Sequence, residues 1–188
     1  TEFLNDPRVI DIPWLKRKLL VNLIIVPFRS GNSSKIYKQL WTEEGSPLLI
    51  YGNIVRDKLQ ESLGDDFGVH LGMRYQNPSL DKVLAEMQQK NYTKIIILPM
   101  FPHYASSSTG SAIEKALKII NTWWVIPELS VISQFWDHPM FIDAFVERAK
   151  QYKLEDYDHF LFSYHGLPER QVDKVYLDGK PCSDHNCE

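Results

Sequence analysis

A histidine that follows the last apolar segment of the chain is the strongest candidate for chemistry. His165 comes just after the run 159–163, which is predicted to be a strand, and it precedes Gly166 and Pro168. Glycine permits a backbone bend that other residues resist, and proline stiffens the chain that follows it. An imidazole held in this way could bind a metal ion or move protons near neutral pH. The alternative is a histidine that only makes a hydrogen bond within its loop.

A second candidate is the stretch 99–111, in which hydroxyl residues follow an apolar segment and precede a predicted helix. The N–H groups and dipole of a helix N-terminus favour an anion, so a carboxylate or a phosphate would fit there. The alternative is a helix that is simply capped by Ser108 or Thr109. Neither Gly-x-Gly-x-x-Gly nor Gly-x4-Gly-Lys-Ser/Thr occurs in the chain, so a nucleotide site is not indicated.

A third candidate consists of Arg29, Tyr37 and Ser46. Arg29 follows an apolar stretch, and a guanidinium binds a carboxylate through two parallel hydrogen bonds. The combination suits a flat ligand that carries carboxylates. The alternative is an arginine on the protein surface, which is the commoner case.

Cys182, His185 and Cys187 lie close together near the end of the chain. Thiolate and imidazole ligands with this spacing could bind zinc or an iron–sulfur cluster. Three such residues are fewer than the four ligands of a closed site, so the metal interpretation competes with one in which they bind nothing.

His138 is a secondary candidate because it follows the predicted strand 129–135. An imidazole near a strand end could handle protons. A helix begins next to it, however, and a capping role explains the residue equally well.

The elements that must position these residues alternate between helix and strand from Gly45 onward. Strands are predicted at 69–75, 94–98, 129–135 and 159–163. Helices are predicted at 46–63, 79–90, 109–120 and 139–152. This order predicts an α/β fold with a doubly wound parallel sheet of about four strands, and 46–170 as its core. Ligands of such sheets bind at the carboxyl ends of the strands.

An apolar run, Leu19–Phe28, precedes this core and is interrupted by Asn22. It is shorter than the roughly 20 residues that a membrane-spanning helix needs. The run is therefore predicted to be buried or to form an apolar lip over a pocket.

Composition narrows the function classes. Of the 188 residues, 44% are hydrophobic and 24% are charged, which is typical of a globular domain. The net charge of −3 and the mixed signs along the chain do not indicate a nucleic-acid partner. The first residues do not resemble a signal peptide, and there are only two cysteines, so a cytoplasmic location is expected.

Five segments, in this order, resemble ferrochelatases. They are Phe3-Leu4-x-Asp6-Pro7-Arg8-Val9, Gly45-Ser46-Pro47, Gly72-Met73-Arg74-Tyr75-x-Asn77-Pro78, Leu98–Tyr104 with Ser108–Ser111, and Phe162–Pro168. The last is similar to the family's Ser-x-His-Gly/Ser-Leu-Pro signature. The fourth is similar to Tyr-Pro-Gln-Tyr-Ser…Ser-Thr-Thr-Gly-Ser, with His103 where the family usually has glutamine.

The resemblance implies roles for individual residues. His165 resembles the histidine that faces the porphyrin centre and takes up pyrrole protons or binds the incoming metal. His138 matches a histidine that is linked to metal delivery in some members. The residues that would bind or approach the porphyrin are Arg29, Tyr37, Ser46 and Tyr104.

The resemblance also implies a lyase that inserts ferrous iron into a porphyrin, protoporphyrin IX or coproporphyrin III, in haem biosynthesis. Porphyrin and Fe²⁺ are its substrates, and no cofactor is expected; an iron–sulfur cluster at the cysteines is the weaker expectation. The segment 1–45 corresponds to the lip over the macrocycle and could make a peripheral membrane contact.

Residues 1–188 would form a single domain, the amino-terminal half of a two-domain enzyme. Its second half would supply an acidic residue opposite the histidine, and a first strand would precede Thr1. The 188 residues alone are therefore expected to be inactive and poorly stable.

Two alternatives remain open at this point. A chelatase for a related tetrapyrrole, such as one that inserts cobalt into sirohydrochlorin, would share the fold. A non-catalytic α/β domain that binds a small ligand would need no histidine facing a metal.

Overall fold

The first forty residues are mostly helical, although their pattern gave no helical prediction. The computed structural model describes residues 2–185, except for the side chain of residue 184. Its first helices are α1 (Glu2–Asn5), α2 (Trp14–Leu19), a π-helical turn (Leu20–Ile25) and α3 (Val26–Leu40). The buried guanidinium of Arg17 donates to the carbonyls of Asn5 and Ile12, at 2.9 and 2.8 Å, which holds α2 against the loop before it.

The apolar run Leu19–Phe28 lies in this helical stretch and is only partly buried. Val21 is fully buried, whereas Leu23 and Phe28 expose 63% and 78% of their surface. Burial of the whole run is therefore wrong, and the lip over a pocket stays a prediction.

The next two helices begin and end where the sequence predicts. Helix α4 (Pro47–Leu63) follows Ser46 and ends at Gly64, whose φ of 72° is one that glycine adopts without strain. Helix α5 (Leu80–Gln89) is capped by Ser79, whose Oγ accepts a hydrogen bond from the Lys82 N–H at 3.3 Å.

Residues 69–75 do not form the predicted strand. Met73 instead pairs with the turn that follows it: its N–H donates to the Pro78 carbonyl at 2.7 Å, and its carbonyl accepts from Leu80 N–H at 3.1 Å. These bonds occupy backbone groups of Met73 that a sheet neighbour would need. The prediction failed because the segment folds back on itself.

Two strands form a parallel sheet. Strand β1 (Lys94–Ile97) pairs with β2 (Glu128–Val131), with Ile95 opposite Leu129. Helix α6 (Ser111–Ile120) connects them. The structure is thus α/β with a two-stranded parallel sheet, and β2 ends before the predicted Phe135.

The core lies between β1 and helices α5 and α6. Its buried residues are Leu84, Ile95, Ala116, Ile120 and Trp123. Only one face of β1 contributes: Ile95 is 4% exposed, whereas Ile96 is 50% exposed. A doubly wound sheet would have both faces of β1 covered, and in this chain only the face of Ile95 is covered.

The start of α6 also differs from the prediction. A π-helical turn (Ser106–Gly110) precedes it, and neither Ser108 nor Thr109 caps the helix. The Ala105 carbonyl accepts from the N–H groups of Ser108 and Gly110, at 3.2 and 3.0 Å. The extra turn therefore satisfies backbone donors that side-chain caps were expected to satisfy.

The backbone divides into two compact units, one up to Ser133 and the other from Gln134. The second contains helix α7 (Pro139–Ala149), helix α8 (Glu169–Val172) and short 3-10 turns. The predicted strand 159–163 is not formed, because within the described part of this unit no second strand is available to pair with it. Leu161 and Phe162 are 94% and 78% exposed.

Within residues 2–185, no helix combines the length and the apolar composition that crossing a membrane requires.

The two isoleucines of β1 provide a stability test. Replacing Ile95 with alanine should lower the free energy of unfolding of the 188-residue chain by about 2–5 kcal/mol, because it leaves a cavity in the core. The matched change Ile96→Ala should cost about 1 kcal/mol or less, because half of that side chain is already in water. Urea unfolding measures both values, and equal losses would contradict the one-sided burial of β1.

A buried carboxylate network and the candidate functional site

A buried carboxylate joins three separate segments of the first unit. The Asp6 side chain is 5% exposed. Its Oδ2 accepts hydrogen bonds from Ser111 Oγ at 2.6 Å, Arg74 Nη2 at 2.6 Å and Tyr75 Oη at 2.9 Å. Its Oδ1 accepts from the Arg8 N–H at 2.8 Å. The N-terminal loop is thereby fixed to the residue that begins α6 and to the loop before α5.

These contacts set the protonation of the network. Burial by itself would raise the pKa of Asp6, but the hydrogen bonds from Ser111, the Arg8 N–H and Tyr75, together with the charge of Arg74, outweigh it, and the pKa of Asp6 is lowered. Burial raises the pKa of Tyr75, and its hydrogen bond to ionised Asp6 acts in the same direction. The network therefore holds a carboxylate and a neutral phenol at neutral pH.

Arg8 extends the network to the loop that follows β1. Its Nε forms an ion pair with Glu114 of α6, and its Nη1 donates to Ser106 Oγ at 3.0 Å. Hydrogen bonds from Lys118 and from Arg8 lower the pKa of Glu114. Arg8 thus links a helix, a loop and the N-terminal segment.

Two open cavities flank α6. One, of about 550 Å³, is lined by Asp6, Lys18, Arg74 and Ser111 among others, and the second, of about 500 Å³, by Arg8, Tyr104, Gly110 and Leu129 among others. Tyr104, a sequence-predicted site residue, is therefore on a cavity wall beside the carboxyl-end loop of β1.

Arg29 and Tyr37 both lie on α3 and are exposed. They are eight residues apart, which is about 12 Å along a helix axis. Ser46 is half-buried at the start of α4, and its hydroxyl makes no capping hydrogen bond. Among the hydrogen bonds and ion pairs of the described residues, none joins Arg29, Tyr37, Ser46 and Tyr104 to one another.

His165 lies in the second unit, on an exposed loop rather than at the end of a strand. Its Nδ1 is 2.7 Å from the Gly166 carbonyl. Because a carbonyl can only accept, this contact places the proton of the neutral ring on Nδ1. Nε2 then carries a lone pair that can take up a proton or bind a metal.

His138 lies at the start of α7, where its Nδ1 accepts a hydrogen bond from the Met140 N–H at 3.3 Å. The capping alternative is therefore realised in this structure. In the neutral ring this contact leaves the proton on Nε2, the opposite tautomer from that of His165.

The cysteine-rich end is described only in part. Cys182 is half-buried, and its N–H donates to Asp173 Oδ1 at 2.9 Å. His185 stacks on Tyr176 with ring centroids 3.9 Å apart, and its Nε2 is 3.3 Å from Asp178 Oδ1. Cys187 lies outside the described residues, so the predicted metal site remains a prediction.

Within the described part of the chain, no group of three or more histidine, cysteine, aspartate or glutamate side chains is arranged to hold a metal ion.

The sequence interpretation gave no role to the residues of the Asp6 network. Asp6, Arg8, Arg74 and Ser111 belong to three of the segments that carry the family resemblance, but their spacing along the chain gives no indication that they meet. The one available indication was that two large polar side chains, Arg74 and Tyr75, are adjacent in a segment whose pattern otherwise resembles a strand.

The site and fold describe an α/β protein with a polar loop at the carboxyl end of β1 and an accessible imidazole on a separate loop. A ferrochelatase family model matches residues 1–180, and the chain belongs to that family. It is 46% identical over 177 residues to a ferrochelatase of Legionella pneumophila (strain Paris), a match that covers 94% of this chain and 53% of the relative. It is 44% identical over 187 residues to a ferrochelatase of Coxiella burnetii (strain Dugway 5J108-111), with 98% and 51% covered. The chain spans about half the length of these curated relatives.

The Asp6 network predicts a specific acid sensitivity. The pKa of Asp6 is lower in the folded state than in the unfolded chain, where it is near 4. The contribution of Asp6 to stability is therefore present above about pH 4 and is lost as the pH falls through the folded-state pKa. Asp6→Asn should lower the free energy of unfolding at pH 7 by about 1–3 kcal/mol and should flatten its decline below about pH 4.

The matched control for this change is Asp57→Asn, which breaks an exposed ion pair with Arg56 and should cost less than about 1 kcal/mol. Urea unfolding between pH 3 and pH 7 measures both. If the two variants had the same pH dependence, Asp6 would not be the group whose protonation lowers the free energy of unfolding at acid pH.

Proposed function

We propose that this chain forms part of a ferrochelatase, a metal chelatase of the lyase class that inserts Fe²⁺ into a porphyrin, protoporphyrin IX or coproporphyrin III, in haem biosynthesis. The observation that carries the proposal is the His165 imidazole, which is exposed and donates through Nδ1 to the Gly166 carbonyl. The family match over residues 1–180 supports the same reaction.

The reaction needs a base of this kind. A free porphyrin carries two pyrrole N–H protons where Fe²⁺ must bind, and both leave as the metal enters. Bending the macrocycle exposes the nitrogen lone pairs, and strain of this kind is worth about 1–5 kcal/mol. A base can then take up one of these protons while the other passes to solvent, and the lone pair on His165 Nε2 suits that role.

The same Nε2 atom could instead hold Fe²⁺ before insertion, because neutral imidazole is a good ligand for this ion. Fe²⁺ is a substrate in either case, and no cofactor takes part in the proposal. We further propose that an acidic residue outside these 188 residues faces His165, so that the chain alone is inactive.

The porphyrin carboxylates are proposed to meet Arg29, with Tyr37, Ser46 and Tyr104 lining the macrocycle. Arg29 is exposed and can offer a two-pronged contact to a carboxylate. Ser46 presents a hydroxyl that makes no capping bond, and Tyr104 lies on a cavity wall. Each of these features supports the porphyrin contact that is proposed for the residue concerned.

The apolar lip is proposed to cover the flat face of the macrocycle, and its outer side could contact a membrane surface peripherally. Trp14, Leu19, Leu23 and Phe28 each expose half or more of their surface. Side chains of this kind are stabilised when an apolar ligand or a lipid surface covers them. A cytoplasmic location agrees with the low cysteine content.

We also propose that the sheet reaches four parallel strands in the complete gene product. Ile96 and Val131 are 50% and 39% exposed, so both strands present apolar surface that further elements could cover. Residues 159–163 have the apolar pattern of a buried strand but have no neighbour among the described residues of their unit.

Replacing His165 should abolish iron insertion. In the complete gene product, His165→Ala should reduce kcat by about 10²–10⁴-fold, because the variant loses the base. The matched control is His159→Ala, which removes an exposed imidazole six residues earlier. Anaerobic assays with Fe²⁺ follow the porphyrin absorbance bands.

Each outcome of this assay distinguishes one class of protein. Conversion by the His159 variant but not by the His165 variant supports the chelatase. Porphyrin binding without conversion by the unaltered protein would indicate a binding domain, and conversion of cobalt and sirohydrochlorin instead would indicate the related chelatase.

The four-stranded sheet has its own test. Amide hydrogen exchange of residues 159–163 in the complete gene product should be as slow as that of β1, because strand pairing protects the N–H groups. Residues 177–179, which include the fully exposed Leu177, serve as the unprotected control. Exchange of 159–163 at the control rate would show that these residues do not join the sheet.

A further inference from the structure

We propose that Arg8 is a positioning residue that holds the loop carrying Tyr104 in the shape needed to receive the porphyrin. The inference rests on the proposed function, because it takes Tyr104 as part of the porphyrin site. Arg8 itself acts through that loop and is not assigned a contact with the reacting atoms.

The Arg8 guanidinium contacts both the π-helical turn and the helix that follow Tyr104 in the chain. Its Nε is paired with Glu114, in the first turn of α6, and its Nη1 donates to Ser106 Oγ at 3.0 Å. Glu114 belongs to a regular helix that packs on the core through Ala116 and Ile120. Ser106 begins the π-helical turn, two residues after Tyr104. The contacts therefore hold the end of the loop that carries Tyr104, where it enters this turn, against the N-terminal segment.

Gly110 brings the Arg8 and Tyr104 side chains to one point. A Cβ placed on Gly110 would lie 2.9 Å from Tyr104 Oη and 3.1 Å from Arg8 Nη1. Both groups thus lie directly against the Gly110 backbone. The tyrosine hydroxyl is positioned beside the guanidinium.

Arg8 is held rigidly from its other side as well. Its N–H donates to Asp6 Oδ1, and Asp6 is the buried centre that joins Ser111, Arg74 and Tyr75. A side chain whose backbone is fixed in this way loses little further freedom when it holds the loop. Preorganisation of this kind favours ligand binding, since the loop does not have to be ordered when the ligand arrives.

A positioning role predicts a change in substrate binding with chemistry preserved. In the complete gene product, Arg8→Ala should raise the KM for porphyrin about tenfold while kcat stays within about twofold, because a charged hydrogen bond is lost outside the reacting centre. Arg8→Lys should recover only part of the loss, because one ammonium cannot form the fork to Glu114 and Ser106.

Gly110→Ala tests the same geometry with every charge retained. The added methyl group would displace Tyr104 Oη or Arg8 Nη1, so the KM should rise as it does for Arg8→Ala. Arg56→Ala is the matched control, because it removes an arginine that pairs with Asp57 on the surface of α4, and it should leave both constants unchanged.

Amide hydrogen exchange of residues 99–110 is the second readout, and it does not depend on activity. Exchange there should become faster in Arg8→Ala, while that of β1 should stay the same. If the unaltered protein inserts iron but Arg8→Ala changes neither the KM nor the exchange, the inference is wrong and the proposed function stands.

If exchange accelerates in residues 99–110 but the unaltered protein does not insert iron, the proposed function fails while Arg8 still anchors the loop. Exchange of β1 could instead rise as well, while kcat falls and the KM is unchanged. That result would mean that Arg8 serves only the stability of the fold, and it would overturn the inference.

Discussion

The ionised Asp6 side chain is the constraint on which the rest of the first unit depends. A carboxylate removed from water is costly unless donors replace the water, and here four donors do so, from Ser111, Arg74, Tyr75 and the Arg8 N–H. They come from three segments, so the carboxylate is satisfied only when all three are in place. The position where α6 begins, the path of residues 73–75 and the path of the N-terminal loop are therefore determined together.

This dependence explains which predictions succeeded. The ends of α4 and α5 follow from local chemistry: Ser79 caps one helix, and Gly64 allows the other to end with a positive φ. Such signals act within a few residues and can be recognised in the sequence. The segment 69–75 has a strand-like pattern too, but Arg74 and Tyr75 are committed to Asp6, which is about 70 residues earlier in the chain. No local pattern contains that information.

Strands are harder to predict for a related reason. A helix satisfies its own backbone, whereas a strand exists only beside another strand. Residues 94–97 find a partner in β2, and the segment 159–163, which is equally apolar, finds none among the described residues of its unit. The same absence of neighbours leaves Ile96 half exposed while Ile95, one residue earlier, is in the core. Sequence pattern thus identified apolar segments correctly but could not determine how many of them pair within this chain.

The candidate site shows the same division between local and distant information. His165 could be identified from the residues around it, because its glycine, its proline and the preceding apolar run are adjacent in the chain. Arg8 could not, since its partners Ser106 and Glu114 are 98 and 106 residues away. Under the proposed function this distinction matters, because a rigid, flat ligand cannot adapt to a loose loop and is bound better by a loop that is ordered beforehand. In that proposal Arg8, which orders the loop, is distant in sequence from Tyr104, which the loop carries, and only the fold brings the two together.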